Sequence, residues 1–198
     1  METMLQSTEQ QNLNKGYLLM KQKALIMDEN QVHRSIARIS HEIIERNNGA
    51  EKVCLLGIKR RGIPIANEIA ENIKKFEGID VPVGHVDITL YRDDLSEISD
   101  EAKTHDIEIP VDLKGYTVVL VDDVIYTGRT TRAAIEAVFD NGRPKAIQLA
   151  VLVDRGHREL PLRPDFIGKN IPTSKSEVVG VKLPEYDDGE CSVILSDL

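Results

Sequence analysis

Three short apolar runs constrain the fold of this chain more than any other feature. VCLLGI (Val53 to Ile58), TVVLV (Thr117 to Val121) and AIQLAVLV (Ala146 to Val153) are almost continuous in apolar residues. A strand with one wet face alternates polar and apolar side chains, whereas a strand covered on both faces does not. Runs of this kind therefore belong inside a parallel sheet flanked by helices. The segments between them carry a helical period instead. Val32, Ile36, Ile39 and Ile43 form one stripe over Met27 to Arg46, a span opened by Asp28 and Gln31 at capping-box spacing and closed by Asn47, Asn48 and Gly49. Ile65, Ile69, Ile73 and Phe76 mark a second helix opened at Gly62-Ile63-Pro64. Thr130, Ala133, Ala134, Ala137 and Val138 mark a third, ended by Asn141-Gly142. Val81 to Leu90 reads as a further strand, with two shorter candidates at Val178 to Lys182 and Ser192 to Leu195. Strand and helix alternate, so the expected class is α/β with a mainly parallel central sheet.

The 198 residues suit one domain over 21–198, preceded by a polar extension, 1–20, expected to be disordered. That extension lacks the basic patch and apolar core of a secretion signal, and no apolar run approaches the roughly 20 residues that cross a bilayer. Cys54 and Cys191, far apart in the chain, read as reduced thiols, and the expected compartment is the cytoplasm. A net charge of −8 argues against a generic nucleic-acid binder, so any RNA contact has to rest on a local patch.

The segment VVLVDDVIYTGRTT, Val118 to Thr131, carries the clearest chemistry. A hydrophobic strand delivers Asp122 and Asp123 to its carboxyl end, where ligands bind in open parallel sheets. The loop that follows supplies backbone N–H groups, hydroxyls from Thr127, Thr130 and Thr131, a glycine at 128 and a helix N-terminus, which together suit a phosphate. Two carboxylates beside a phosphate repel it unless they face ribose hydroxyls or a hydrated magnesium ion. A second strand–helix junction, GIKRRG (Gly57 to Gly62), offers three consecutive cations between glycines, suited to a more highly charged anion. Its two glycines have P-loop spacing, but Ile63-Pro64 replaces the Lys and Ser/Thr that an ATPase loop needs. From Tyr91 to Pro110 the chain is polar, acidic and without periodicity, the character of a functional lid or a disordered loop.

Over its full length VVLVDDVIYTGRTT resembles the phosphoribosyl-pyrophosphate (PRPP) signature of the type I phosphoribosyltransferases. The resemblance implies that family's fold with a small C-terminal hood, over about 154–198, and a lid over about 91–110. It implies that Asp122 and Asp123 hold the ribose hydroxyls, with Val124, Ile125, Tyr126, Thr127, Gly128, Arg129 and Thr130 around the 5-phosphate. Lys59, Arg60, Arg61 and the lid's Arg92, from TLYRDD, fall to the pyrophosphate. Asp122, Asp123 and Arg92 are then the catalytic set, with Mg2+ held mainly through ligand oxygens beside the two aspartates. The chemistry is positioning and electrostatic stabilisation of a departing pyrophosphate, with no covalent nucleophile.

Together with TLYRDD and DDVIYTGRT, the tail DRGHRELPLRPDFIGKNIPTSKSE (Asp154 to Glu177) is similar to the bacterial pyrimidine-operon attenuation regulators that double as uracil phosphoribosyltransferases. This resemblance runs from about Lys23 to the C-terminus. It implies uracil as the base, read by the hood near Lys169, Asn170 and Ile171, and Tyr126 stands where 6-oxopurine relatives carry an aspartate. It implies UMP and UTP as effectors and a leader-mRNA hairpin as partner, contacted by Arg38, His41, His157, Arg158, Arg163 and Lys169. Arg60 departs from the threonine frequent in relatives. A homodimer or higher homo-oligomer with no membrane association is expected. On charge alone the basic stripe of Arg34, Arg38 and His41 reads as an ordinary solvated helix face. Two alternatives stand beside this reading: an RNA regulator whose catalytic site survives as a nucleotide sensor, and a phosphoribosyltransferase for another base without RNA function.

Overall fold

The computed structural model describes residues 22–88 and 107–197. The N-terminal extension, and most of the lid segment with Arg92, lie outside the described residues.

Strand β1 (Gln22–Met27) leads into helix α1 (Glu29–Asn47). Asp28 caps α1: its side chain accepts from the Gln31 N–H at 2.8 Å, and the Gln31 side chain accepts from the Asp28 N–H at 3.0 Å. Two of the helix's orphan donors are thereby satisfied by the capping box that the spacing predicts. Asn48, with φ at 55°, ends the helix in the left-handed conformation. The stripe of Val32, Ile36, Ile39 and Ile43 is completely buried. There follow β2 (Val53–Ile58), α2 (Gly62–Glu77), β3 (Val83–Val86), β4 (Ile107–Glu108), β5 (Thr117–Ile125), α3 (Arg129–Asn141), β6 (Ala146–Asp154), β7 (Phe166–Asn170), β8 (Glu177–Lys182) and β9 (Ser192–Asp197).

Among the described residues these strands make a six-stranded sheet in the order β4-β3-β2-β5-β6-β7 and a three-stranded sheet in the order β1-β9-β8. The large sheet is parallel except for β4, and the small one is antiparallel. Helices α1 and α2 pack on one face of the large sheet, against Leu55, Val119, Val121, Ala150 and Leu152. Helix α3 covers the other face, burying Ala133, Ala134, Ala137 and Val138 against Cys54, Leu56, Val118 and Leu120. Both faces are dry, which is why the three apolar runs do not alternate. Cys54 and Cys191 are free thiols, each pushed up to about 11, principally by burial.

The structure departs from the sequence reading in four places. Strand β5 continues four residues past Val121, through both aspartates, because Asp122, Val124 and Ile125 pair in register with Val151, Val153 and Asp154 of β6. The Val81–Leu90 strand pairs only over Val83–Val86, with Thr89 and Leu90 outside the described residues. β7, in the middle of the tail segment, is the edge of the large sheet; Gly168 lets it approach, since a Cβ there would lie 2.5 Å from the Leu152 carbonyl oxygen. β1 pairs with β9, a partner almost the whole chain away, and local pattern carries no trace of that.

Glu177 ties β1 and β8 together: it accepts from Lys23 Nζ at 2.5 Å and from the Ser174 N–H at 2.7 Å. The hydrogen bond from Lys23 is the largest cause holding its carboxyl down at about 2. A carboxyl depressed in the folded state stabilises the fold above its unfolded pKa, and that contribution fades as pH falls from the ordinary carboxylate range towards 2. Glu177→Gln should therefore lower the urea midpoint at pH 7, with the gap to wild type narrowing steadily below about pH 4.5.

Candidate active site

Two strand–loop–helix units meet at the carboxyl edge of the large sheet. β2 and β5 are parallel neighbours with Gly57 opposite Val121, so the loops that follow them leave the sheet side by side.

At the end of β5, Asp122 is buried and Asp123 is half-buried. The Asp122 Oδ1 accepts from the Asp123 N–H, and the Asp123 Oδ1 from the Val124 N–H, each at 2.9 Å. Each carboxylate is thus locked to the amide that follows it. Burial raises the Asp123 pKa, against the opposing pull of the hydrogen bond with Asp122 and the charge of Arg61. Beyond Ile125 the chain turns through Tyr126 and Thr127 to Gly128, whose φ of 94° is the left-handed conformation that glycine adopts without strain. Helix α3 starts at Arg129; its N-cap, Gly128, offers no side chain, and only the Arg129 N–H has a side-chain acceptor, Thr127 Oγ1 at 3.4 Å. The turn is held from behind. The Thr127 carbonyl accepts from the N–H groups of Glu159 (3.0 Å) and Leu160 (3.2 Å), and Arg129 pairs with Glu159 at 2.8 Å. The Tyr126 carbonyl accepts from Arg158 Nη1 at 2.9 Å, and the Tyr126 ring is partly exposed.

At the end of β2 stand Lys59, Arg60 and Arg61, with a cis peptide between the first two. The Lys59 N–H donates to the Val86 carbonyl at 2.9 Å and Lys59 Nζ lies 3.4 Å from Asp87. Gly62 sits directly on β5, since a Cβ there would come within 2.2 Å of the Val121 carbonyl oxygen. Arg61 Nη2 reaches both oxygens of Asp187, at 2.9 and 3.0 Å, and the Tyr186 hydroxyl lies 3.4 Å from the Arg60 carbonyl. The turn between β8 and β9 therefore closes over the cationic loop. Arg61 Nε is buried and has no hydrogen-bond partner among the described residues. An orphaned buried donor is costly, and an incoming anion would relieve it.

The residues singled out on the tail and on α1 separate into groups. Lys169 and Asn170 lie at the end of β7, opposite Val153 and Asp154, and the Ile171 N–H donates to the Asp154 carbonyl at 2.8 Å. Arg38 donates from α1 to the Ile167 carbonyl (3.1 Å) and the Gly168 carbonyl (2.6 Å), and pairs with Glu42 at 2.8 Å. His41 stacks on Phe76 of α2 at 3.9 Å, with both rings partly exposed. His157 and Arg158 lie instead beside the β5 turn. His157 Nε2 is 2.6 Å from the Thr173 carbonyl, and Arg158 is engaged by Asp154 (2.6 Å) and by the carbonyls of Leu162, Tyr126 and Gly156. Arg163 lines a shallow pocket with Leu120, Thr131, Ile135 and Leu149, on the α3 face of the sheet. Arg38 and Lys169 are thus brought near one another, and Arg163 is on the opposite face from α1. Two residues that escaped the sequence reading brace these loops from behind: Asp187, in the acidic turn EYDDGE, grips Arg61, and Arg155 lies over the Tyr126 ring.

The chain matches the model of the phosphoribosyl transferase domain over residues 26–186. It is 58% identical over 165 residues to the bifunctional protein PyrR of Clostridium perfringens, covering 83% of this chain and 93% of that protein. To the bifunctional protein PyrR of Acetivibrio thermocellus it is 58% identical over 176 residues, 89% of this chain and 95% of the relative. Among solved structures it resembles the hypoxanthine phosphoribosyltransferase of Trypanosoma cruzi, with a TM-score of 0.70 at 16% identity over 88% of this chain and 95% of that one. It also resembles a hypoxanthine-guanine phosphoribosyltransferase of Bacillus anthracis, with a TM-score of 0.64 at 19% identity over 90% and 99% of the two chains. At such identities the structural likeness speaks for the fold alone.

Because the close approach at Gly62 is to backbone, relaxation requires the cationic loop to lift off β5. Gly62→Ala should cost about 1–3 kcal/mol in urea denaturation, and a variant as stable as wild type would show that the loop is not pinned there.

Proposed function

The chain belongs to the phosphoribosyltransferase family and to its PyrR proteins, and from that premise we propose that it joins uracil to PRPP and also binds pyrimidine-operon leader mRNA to attenuate transcription. The observation that carries the enzymatic half is the juxtaposition of the locked acid pair on β5 with the cationic loop of β2, each followed by a helix N-terminus.

In this reading the 5-phosphate sits on the N–H groups from Tyr126 to Thr130, favoured by the dipole of α3. Asp122 and Asp123 face the ribose hydroxyls, and Lys59 and Arg61 receive the pyrophosphate, whose oxygens give Arg61 Nε an acceptor. As the bond between C1 and the pyrophosphate oxygen breaks, positive charge grows on the sugar beside the two carboxylates and negative charge on the leaving group beside the cations. The site stabilises both without reorganising, since each carboxylate is already held by a backbone amide. A ring nitrogen of uracil then bonds to C1 as its N–H bond breaks, the proton passing to water. The pyrimidine is placed between the Tyr126 side of the cleft and the ends of β6 and β7, where Lys169 to Ile171 lie. Arg92 supplies a further cation from the lid.

Magnesium fits this donor set in one way. Among the described residues there is no group of three or more His, Cys, Asp or Glu side chains that could cage an ion. Two adjacent aspartates with phosphate and ribose oxygens suit an ion that keeps most of its shell in water and ligand. When bound, it would offset charge on the pyrophosphate.

The RNA half rests on the relatives, on the surface shared by α1 and β7, where Arg38, His41 and Lys169 lie, and on His157 of the basic tail. The His41–Phe76 pair adds a ring surface of the kind that stacks on unpaired bases. Arg158, with its four acceptors, serves as a fastener of the β5 turn.

Uracil, PRPP and Mg2+ should yield UMP and pyrophosphate, with no product after chelation, whereas orotate and hypoxanthine should give none. Asp123→Asn should lower kcat/KM by about 10²–10³-fold, and a wild-type value would remove Asp123 from the site. In gel shifts with the leader transcript, His41→Ala should weaken binding by about 5–10-fold. Lys169→Ala should reduce the salt dependence by about one counterion, and an unchanged slope would take Lys169 off the phosphate backbone.

A further inference from the structure

Arg155 is buried, 7% exposed, and forms no salt bridge among the described residues. A desolvated guanidinium without a carboxylate needs other compensation. It finds this in two places. One face lies over the Tyr126 ring, with Cζ 4.1 Å from the centroid. Its N–H groups donate to the Glu177 carbonyl (2.5 Å), the Thr173 Oγ1 (3.3 Å) and, at 3.5 Å, the Ser174 carbonyl. Thr173 closes the contact by donating its hydroxyl to the Arg155 carbonyl at 3.1 Å.

Tyr126 is the meeting point. Its ring touches Arg155 on a face and His157 edge-on, at 5.9 Å, and its carbonyl holds Arg158. Thr173 in turn holds His157 through its carbonyl. One residue of the phosphate turn is thereby joined to the basic segment 155–158 and, through Arg155, to the strand that enters the small sheet, where Glu177 continues to Lys23 of β1.

We propose that Arg155 is a positioning residue that transmits nucleotide occupancy of the β5 turn to the basic tail, so that UMP changes the affinity for RNA through it. The inference rests on the function proposed above. A phosphate seated on the turn's N–H groups fixes the Tyr126 peptide and so the orientation of its ring. Arg155 is too buried to exchange the ring for water, so the segment holding its fork, 173–177, and the two residues contacting Tyr126, His157 and Arg158, are selected along with it. Linkage requires the converse as well: RNA must tighten UMP by the same factor that UMP tightens RNA. Lysine cannot replace arginine in this role, since an ammonium has neither a planar face for the ring nor a fork for two carbonyls.

The test uses full-length protein, the leader transcript and UMP, with Arg155→Lys, Arg155→Met and the milder Thr173→Val. In wild type, UMP should tighten RNA by about 5–150-fold, and the exchange of backbone amides in 155–158 and 173–177 should slow when UMP is added without RNA. In the Arg155 variants the RNA affinity ratio with and without UMP should fall towards one, and the UMP-induced protection should disappear, while UMP alone still binds within about threefold of wild type. Thr173→Val should lie between, and keeps the comparison available should either Arg155 variant fail to fold. Variants that retain both the full affinity ratio and the protection would overturn the relay. Wild-type protein that binds no RNA in either state would sink the RNA reading, and the exchange measurement would then decide by itself whether Arg155 links the turn to the tail.

Discussion

The pairing of β5 with β6 beyond the hydrophobic core is the constraint on which the site depends. A strand that ended at Val121 would leave Asp122 and Asp123 in a turn, where their side chains would compete for local amides and solvent. Register with Val151, Val153 and Asp154 satisfies the backbone through Ile125 instead. The two carboxylates are then fixed at the rim of a rigid sheet, each bonded to the next amide. Preorganisation of this kind would serve the reaction proposed above, since groups already fixed do not have to move to meet developing charge.

The same edge shows how an acidic protein concentrates positive charge at one point. The chain carries −8 overall, yet Lys59, Arg60 and Arg61 are gathered on one loop, held against β5 by the close approach of Gly62. Arg61 stands between Asp123, whose charge it tempers, and Asp187, which it grips. Elsewhere arginines serve the fold as well as the surface. Arg38 ties α1 to the edge strand, Arg158 fastens the turn after β5, and Arg155 bridges that turn to the small sheet. Part of the tail's positive charge is therefore engaged internally.

Much of this was legible in sequence order. The capping box at Asp28 and the stripe from Val32 to Ile43 are local patterns, since each involves residues a turn apart. The three apolar runs reveal double-sided burial because side-chain composition records the environment of each strand. The strand, acid pair and glycine turn of Val118 to Thr131 are legible as a candidate phosphate site for the same reason: all the parts are contiguous. β1 and β7 were not legible: β1 pairs with β9 at the other end of the chain, and β7, FIGKN, carries only two apolar side chains, Phe166 and Ile167. Nor were Asp187 and Arg155, which acquire meaning only from what they touch.

The amino-acid order alone thus determined the α/β class, the position of the acid pair and its glycine turn, and the family to which the chain belongs. These are properties of neighbouring residues, and chain connectivity guarantees their proximity. Tertiary structure decided which loops stand together, that the acids sit on a strand rather than in a turn, and which of the basic side chains are engaged internally. Those outcomes depend on register and packing between segments remote in the chain, and no local pattern of residues specifies them.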